Sequence, residues 1–273
     1  MLVVGLGRFG GYSLTHASDL DVIYLHTAEQ HSTSDGPKPL GPNDYFNRLA
    51  SRVTAALSVP TAAGPLYDVD ARLRPEGAKG MLVVSLEAFE RYQREQAWTW
   101  EHMALCRARP LFGSDEGKAR AAAAIDGVLR LARDPVKVLA DAAKMRAEIA
   151  RHKPPHGPLD VKLGPGGLVD LEFATHVLQL TKRVGLSTRL EVALEELAAH
   201  SLVEANIVDA LKLLSRMLVM MRLVAPGDVK PTPDTWQLVA EACGAASWDE
   251  LLAEHDLARQ RIAALWNGIK QEA

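Results

Sequence analysis

The stretch Ser18-Asp19-Leu20-Asp21-Val22-Ile23-Tyr24-Leu25 places two aspartates one residue apart within an otherwise apolar run. We interpret the stretch as a β-strand. Residues two apart in a strand point to the same face, so Asp19 and Asp21 project together while Leu20 and Val22 face the other way. Neighbouring carboxylates repel each other unless a cation lies between them, and hard cations such as Mg²⁺ prefer carboxylate and phosphate oxygens. The stretch therefore predicts a strand that binds a metal ion with a phosphate ester; a solvated edge strand is the alternative.

The run Gly5-Leu6-Gly7-Arg8-Phe9-Gly10-Gly11 follows the strand-like segment 1–4 and matches the G-x-G-x-x-G pattern of dinucleotide-binding proteins. That class also requires an amphipathic helix after the glycines and an acidic residue about 20 positions further on. The residues that follow are poor in helix formers, and Asp19 comes too early. The pattern favours instead a nucleotidyltransferase, in which the glycines of the run let the backbone approach a triphosphate and its arginine adds positive charge near the β- and γ-phosphates.

A third carboxylate comes from the segment 66–75, which alternates polar and apolar residues and predicts a half-buried strand. Its polar face carries Asp68, Asp70, Arg72 and Arg74. We prefer Asp70 as the third ligand because the two arginines follow it directly, while Asp68 stays a rival on the same face. Ion pairing of the arginines with these aspartates is the alternative to a role in nucleotide binding.

Three carboxylates suit phosphoryl transfer, because this chemistry needs positioning and charge neutralisation more than covalent help. We expect Asp19 and Asp21 to bridge two metal ions. We expect Asp70 to complete the metal site on the nucleophile's side and to help deprotonate the incoming hydroxyl.

Composition excludes several classes of protein. The 31 basic and 34 acidic residues give a net charge of -3, so nothing in the bulk charge favours a nucleic-acid partner, and we expect none; a local basic groove is the alternative. Cys106 and Cys243 lie far apart and form neither a disulfide framework nor a CxxC metal site, which favours a reducing, cytoplasmic setting. The apolar run 211–224 is interrupted by Arg216 and Arg222 and is too short to cross a membrane.

The chain changes character near residue 114. Residues 1–113 mix strand-like runs with loops, and they include a predicted loop over 31–43, a helix over 45–57, a strand over 81–85 and a helix over 86–105. Residues 114–273 are almost purely helical in pattern, with helix starts at Asp134-Pro135 and at the capping box of Ser247 to Glu250. The sequence thus predicts an α+β catalytic domain over 1–113, which begins inside a strand and is expected to be N-terminally truncated, and a helical domain over 114–273.

The second half contains one glycine loop, residues 162–167, before a helix predicted over 168–184. Such a loop at a helix N-terminus could bind an anion, and Lys162 could reach a phosphate. Asp170 and Glu172 diverge by about 200° on that helix and cannot form a D-x-D site. Compensation of the helix dipole is the alternative explanation for both acids.

At several of these motifs the sequence closely resembles the glutamine synthetase adenylyltransferase family. The motifs are Gly5–Gly11, Ser18–Asp21, Val69–Gly77, Ala97–His102, Arg107–Arg109 and Gly164–Phe173. Family members are usually a tandem of two related units, one that removes AMP from glutamine synthetase and a C-terminal one that adds it. The Ala97–His102 run and the stretch His152-Lys153 resemble the C-terminal, adenylylating unit.

The resemblance implies transfer of AMP from ATP to a tyrosine hydroxyl of glutamine synthetase, with pyrophosphate leaving, Mg²⁺ required and nitrogen assimilation regulated. It implies a DNA polymerase beta-like nucleotidyltransferase domain followed by an all-α helical bundle, with a nitrogen-signalling regulatory protein as a further partner. We predict nucleotide binding by Gly5, Gly7, Arg8, Gly10, Gly11, Ser18, Arg72 and Arg74. Two alternatives stay open: a non-catalytic interaction module, and a nucleotidyltransferase with another acceptor, similar to a uridylyltransferase.

Overall fold

The computed structural model describes residues 1–62, 64–225 and 231–271. The chain divides into two compact units: Met1–Leu131 with Ser187–Arg189, and Ala132–Leu186 with Leu190–Ala273. The first unit combines a small sheet with helices, and the described part of the second is built from helices. The predicted α+β class is therefore confirmed.

The first unit is organised around a mixed five-stranded sheet. Its strands are β1 (Leu2–Gly5), β2 (Leu20–His26), β3 (Val69–Asp70), β4 (Val83–Ser85) and β5 (Arg109–Phe112), and its helices are α1 (Gly7–Gly10), α2 (Pro42–Ser58), α3 (Leu86–Glu95), α4 (Thr99–Leu105) and α5 (Asp115–Leu129). Strand β1 is antiparallel to β2 and β5. Strand β2 is parallel to β3 at its beginning and to β4 at its end.

Strand β2 lies in the hydrophobic core of the first unit, because side chains on both of its faces are buried. Leu20, Val22 and Tyr24 point to one side and form a cluster with Ala50 of α2. The Tyr24 hydroxyl lies 3.0 Å from the Thr54 hydroxyl on the same helix. Alternate residues of β2 face the other side and are equally buried beyond Asp21. Asp21 is thus the second residue of a strand whose remainder is fixed by burial, and Asp19 directly precedes that strand.

Strand β3 is much shorter than the predicted strand over 66–75 and ends at Asp70. The Asp70 carboxylate accepts the backbone N–H of Arg72 at 2.9 Å, which turns the chain. Arg74 then donates to the carbonyl oxygens of Ala71 and Gly80, at 2.7 and 3.2 Å, and closes a compact loop. The alternating pattern beyond Asp70 therefore belongs to a loop stabilised by side-chain hydrogen bonds.

The predicted helix over 86–105 is interrupted, because α3 ends at Glu95 and α4 begins at Thr99. The Glu101 carboxylate accepts the backbone N–H of Trp98 at 2.9 Å and so caps the new helix. Helix α2 begins at Pro42, three residues before the predicted start at Tyr45. Strand β5 was not predicted at all.

Helix α5 belongs to the first compact unit, which thus extends one helix past the predicted boundary at 113/114. The hydroxyl of Ser114 accepts the backbone N–H of Gly117 at 3.1 Å and begins the helix there, as the change of pattern indicates. The helix then packs against α3, α4 and β5. Its apolar face, with Ala121, Ile125 and Val128, is buried in that unit.

The second unit contains α6 (Pro135–His152), α7 (Leu168–Lys182), α8 (Leu190–Ala199), α9 (Asn206–Val224), α10 (Pro233–Cys243) and α11 (Trp248–Gln271). The Asp134 carboxylate caps α6 as predicted, with the Val136 N–H donating at 3.0 Å. The Ser247 hydroxyl accepts the Glu250 N–H at 3.2 Å, but the Glu250 carboxylate binds the N–H of Ala246, so the predicted capping box is only half formed. Among the described helices, none has the length and apolar character that crossing a bilayer requires.

Candidate active site

Asp19, Asp21 and Asp70 lie together at one end of the sheet. In the parallel pairing of β2 with β3, Asp21 is opposite Asp70, and Asp19 lies two residues before Asp21. One carboxylate oxygen from each residue lies within 4.8 Å of the others, and such a group could hold a metal ion. Oxygen ligands in this number suit hard divalent cations such as Mg²⁺. The rival Asp68 is exposed and outside this group, and its carbonyl oxygen accepts the Leu20 N–H at 2.8 Å.

Gly7 sets the position of the Asp21 carboxylate. The Leu6 N–H donates to the Asp21 carbonyl oxygen at 2.9 Å, which brings the start of α1 against β2. Gly7 then adopts a φ of 50°, and a Cβ at this position would lie 2.1 Å from Asp21 Oδ2. Only a residue without a side chain leaves room for that carboxylate.

The other glycines of the run are surrounded by protein atoms. A Cβ at Gly10 would lie 1.9 Å from the Arg107 carbonyl oxygen, and one at Gly5 would lie 2.6 Å from the Leu111 side chain. At Gly11 it would lie 2.7 Å from Arg107 Nε. The run was predicted to let the backbone approach a triphosphate. In the structure these three glycines let α1 pack closely against the residues around β5, and their approach to a triphosphate stays a prediction.

Arg72 binds the Asp70 carboxylate with its side chain as well as its backbone. Its Nε lies 2.9 and 3.0 Å from the two carboxylate oxygens, and its Nη2 donates to Oδ2. These hydrogen bonds are the largest cause of a pKa for Asp70 below its usual value, with burial acting in the opposite direction. The carboxylate is therefore ionised at neutral pH, as a metal ligand must be.

Arg74, Ser18 and Arg8 make local contacts. The Arg74 guanidinium donates to carbonyl oxygens of its own loop. The buried Ser18 hydroxyl accepts the Thr15 N–H at 3.1 Å and shapes the turn before Asp19. Arg8 Nη1 lies 3.5 Å from the Ser13 carbonyl oxygen. Of the predicted nucleotide-binding arginines, Arg72 bonds directly to the Asp70 carboxylate, and the charge of Arg74 also lowers the pKa of Asp70.

Arg109 and Arg107 support the glycine segment, and no role was predicted for them. Arg109 Nε and Nη2 donate to the carbonyl oxygens of Gly10 and Phe9, at 3.0 and 3.1 Å, at the C-terminal end of α1. The buried Arg107 donates through Nη2 to the Ser13 hydroxyl at 2.8 Å. The only sequence signal for these two residues was the Arg107–Arg109 motif. The motif does not show that β5 pairs with β1 beside the glycines, so it could not predict these contacts.

The glycine loop of the second unit is internally bonded. The N–H groups of Leu168 and Val169 at the start of α7 donate to the carbonyl oxygens of Val161 and Lys162, at 2.9 and 3.1 Å. The Asp170 carboxylate accepts the Gly166 N–H and pairs with Arg146. The N–H groups expected to bind an anion are thus bonded within the loop, and Asp170 stabilises this loop.

These features define a class of protein: an α+β chain whose sheet presents three clustered carboxylates that can hold a divalent cation. The glutamate-ammonia ligase adenylyltransferase family model matches residues 1–124, and the GlnD PII-uridylyltransferase family model matches residues 141–269.

Curated relatives extend this similarity over most of the chain. A bifunctional glutamine synthetase adenylyltransferase/adenylyl-removing enzyme of Rhizobium meliloti is 41% identical over 281 residues, covering 98% of this chain and 28% of the relative. The protein of the same name from Brucella suis is 46% identical over 199 residues, covering 72% of this chain and 20% of the relative. That from Caulobacter vibrioides is 36% identical over 278 residues, covering 98% and 28%.

The chain therefore belongs to the glutamine synthetase adenylyltransferase/adenylyl-removing enzyme family. It spans between 20% and 28% of the length of these three relatives.

Proposed function

We propose that this chain is the adenylylating unit of a longer enzyme and transfers AMP from ATP to a tyrosine hydroxyl of glutamine synthetase, thereby regulating nitrogen assimilation. The observation that carries the proposal is the approach of Asp19, Asp21 and Asp70 to within 4.8 Å in a member of this family. The proposal includes a DNA polymerase beta-like catalytic domain, a helical domain after it, a cytoplasmic setting and a nitrogen-signalling protein as a regulatory partner. Both cysteines are buried and free, which suits a reducing compartment.

Magnesium ions held by the three carboxylates would neutralise charge on the triphosphate and activate the attacking oxygen, as in other two-metal sites. Asp19, Asp21 and Asp70 would hold these ions in this proposal, with Asp70 as the carboxylate nearest the nucleophile. The tyrosine oxygen forms a bond to the α-phosphorus as the bond from that phosphorus to the pyrophosphate oxygen breaks in line. The hydroxyl proton would pass by way of the Asp70 carboxylate to water, and pyrophosphate would carry away the bonding electrons.

The reaction is tested by incubating the chain with glutamine synthetase, Mg²⁺ and ATP labelled on either the α- or the γ-phosphate. We expect the α-label to appear on glutamine synthetase and the γ-label to appear only in pyrophosphate, because AMP is the group transferred. A non-catalytic interaction module would bind glutamine synthetase without transferring either label. Labelling of the acceptor from γ-labelled ATP would contradict adenylyl transfer.

Asp19→Asn is the sharpest variant for this assay. Asp19 is exposed, so the substitution should preserve the fold while removing a negative charge from the cluster. We expect transfer to fall by on the order of 100-fold or more, as when a charge-stabilising group is removed from other active sites. The matched control is Asp68→Asn, an exposed aspartate outside the cluster, which should transfer AMP normally. Near-normal transfer by Asp19→Asn would refute the assignment of the metal site.

A uridylyltransferase is the second candidate, because residues 141–269 match the GlnD PII-uridylyltransferase model. That match lies in the second unit, whereas the three carboxylates lie in the first, within the region matched by the adenylyltransferase model. The region that carries the proposed catalytic carboxylates therefore favours ATP as the nucleotide donor. Replacing ATP by UTP in the assay tests the point, and we expect transfer with ATP alone.

A further inference from the structure

The Asp70 carboxylate is almost saturated by its bonds to Arg72. A carboxylate offers about four acceptor positions. The backbone N–H and Nε of Arg72 donate to Oδ1, and Nε and Nη2 donate to Oδ2. Coordination of a cation by Asp70 therefore competes with the guanidinium for oxygen lone pairs, and the guanidinium charge repels a divalent cation at the same place.

The guanidinium can leave Asp70 without disturbing the carboxylate. The Arg72 side chain is 77% exposed, whereas that of Asp70 is 16% exposed, and exposed ion pairs are weak. The Arg72 backbone N–H still orients Asp70 when the side chain moves, since the backbone is held in the loop that Arg74 bonds together. The Arg72 side chain can therefore move away from Asp70 while the backbone bond keeps the carboxylate in place.

A guanidinium released from Asp70 could bind the phosphate oxygens of a nucleotide at the carboxylate cluster. Charges on Asp19 and Asp21 also help to raise the pKa of Arg72, after the larger effect of its bond to Asp70, so its side chain lies in the field of the whole cluster. A triphosphate bound to metal at that cluster brings phosphate oxygens there, and the planar guanidinium matches them bidentately.

Resting on the function proposed above, we propose that Arg72 is a positioning residue that exchanges partners. Before the substrate binds, Arg72 occupies Asp70 and keeps metal affinity low. When ATP and Mg²⁺ bind, Arg72 moves from Asp70 to the triphosphate and leaves the Asp70 carboxylate available as a metal ligand. The exchange couples metal binding to nucleotide binding, so the cluster loads fully only when both are present.

The test compares Arg72→Gln, Arg72→Lys and wild type in the full 273-residue chain. Mn²⁺, which also prefers oxygen ligands, is titrated without nucleotide, and the KM for ATP and kcat are measured with Mg²⁺. Arg72→Gln should bind Mn²⁺ about two- to five-fold more tightly, because an exposed competitor is removed. Its KM for ATP should rise about ten-fold, because a charge-assisted phosphate contact is lost. Arg72→Lys should stay closer to wild type in Mn²⁺ binding because it keeps the charge.

These opposite changes separate an exchange from a merely structural role, which would weaken both ligands. Arg94→Gln, which removes an exposed pair with Glu90 on α3, is the matched control and should change neither value. Asp21→Asn measures the Mn²⁺ that binds elsewhere on the chain.

Unchanged or weaker Mn²⁺ binding by Arg72→Gln would overturn the exchange, and the proposed function would still stand if wild type transfers AMP. If wild type binds no more Mn²⁺ than Asp21→Asn and transfers no label, the proposed function fails and the exchange fails with it.

Discussion

Gly7 packs directly against the Asp21 carboxylate in the candidate site, and the substitution Gly7→Ala tests the importance of this contact. The added methyl group would lie 2.1 Å from Asp21 Oδ2, so the carboxylate must move. The left-handed backbone at this position costs alanine about 1–2 kcal/mol more than glycine. We expect Mn²⁺ affinity to fall by about ten-fold or more, as when the groups that orient metal ligands are removed. Titration with Mn²⁺ measures the loss.

Gly10→Ala provides the contrast, because its methyl group would meet the carbonyl oxygens of Arg107 and Gly5 instead of a metal ligand. We expect a loss of about 1–3 kcal/mol in the free energy of unfolding in urea, as for other overpacked sites. Gly36→Ala, with no atom within 4 Å of the added group, should leave both properties unchanged. Normal Mn²⁺ binding by Gly7→Ala would show that Gly7 does not position Asp21.

The three aspartates could be predicted from sequence because their placement follows from strand geometry. Strand-like alternation predicts that Asp19, which directly precedes β2, and Asp21, its second residue, share one face, and this prediction needs no tertiary information. The partners of Arg72 and Arg74 could not be predicted in this way. Both arginines fall on the same face of the alternating pattern, yet one binds Asp70 and the other binds loop carbonyl oxygens, because the chain turns after Asp70.

Short strands explain two of the errors at the level of secondary structure, the length of β3 and the absence of β5 from the prediction. Strand β5 has only four residues, including Pro110, and it exists because it pairs with β1 far away in sequence. Strand β3 has two residues and is fixed by its pairing with β2. Such strands carry little periodicity of their own. By contrast, the start of α6 at Pro135 was predicted correctly, since its cap is a local hydrogen bond from Asp134.

The start of α7 depends on a buried ion pair, and Arg146→Met tests it. The side chains of Arg146 and Asp170 are 11% and 7% exposed, and Arg146 also donates to the Leu163 carbonyl oxygen at 3.1 Å. Removing one partner leaves an uncompensated buried charge, which typically costs about 3–5 kcal/mol. We expect a loss of this size in the free energy of unfolding of the second unit, measured in urea.

A double-mutant cycle with Asp170→Asn separates the pair from other effects of truncation. The double variant should lose less stability than the sum of the single variants, because the second substitution removes the stranded charge. The exposed pair of Arg130 with Asp126 on α5 is the matched control, and Arg130→Met should be close to wild type. Equal effects of Arg146→Met and Arg130→Met would mean that the buried pair does not stabilise the loop.

The two units of the chain also differ in the family models that they match. The first match ends at residue 124 and the second begins at residue 141, on either side of the unit boundary after Leu131. Sequence composition alone changes earlier, where α5 begins, because a helix that covers a sheet has the same apolar spacing as one in a bundle. Only packing against α3 and β5 shows which unit that helix joins.

The units should respond differently to mild acid. Each contains a buried titratable group, and burial shifts the pKa values of these two groups in opposite directions. Burial lowers the pKa of His255 in α11 from 6.5, and the charge of Arg259 lowers it further. The unfolded chain therefore binds the proton first, so stability is intact above about pH 6.5 and falls as the pH drops towards the folded pKa. Burial raises the pKa of Glu101 in α4. The folded chain then binds the proton first. The stability of the first unit therefore rises as the pH falls from the raised, folded-state pKa of Glu101 towards the pKa of an unfolded glutamate.

Hydrogen exchange at pH 7 and pH 5, corrected for the intrinsic rate, measures both effects in one sample. We expect α11 to lose protection at pH 5 while α4 keeps or gains it, because the carboxylates with lowered pKa values, Asp70, Glu87 and Asp115, lose their contribution only at lower pH. His255→Leu should abolish the loss in α11, whereas His200→Gln, an exposed histidine of the same unit, should not. Equal loss of protection in α4 and α11, unchanged in His255→Leu, would show that acid acts on the chain as a whole and not through these buried groups.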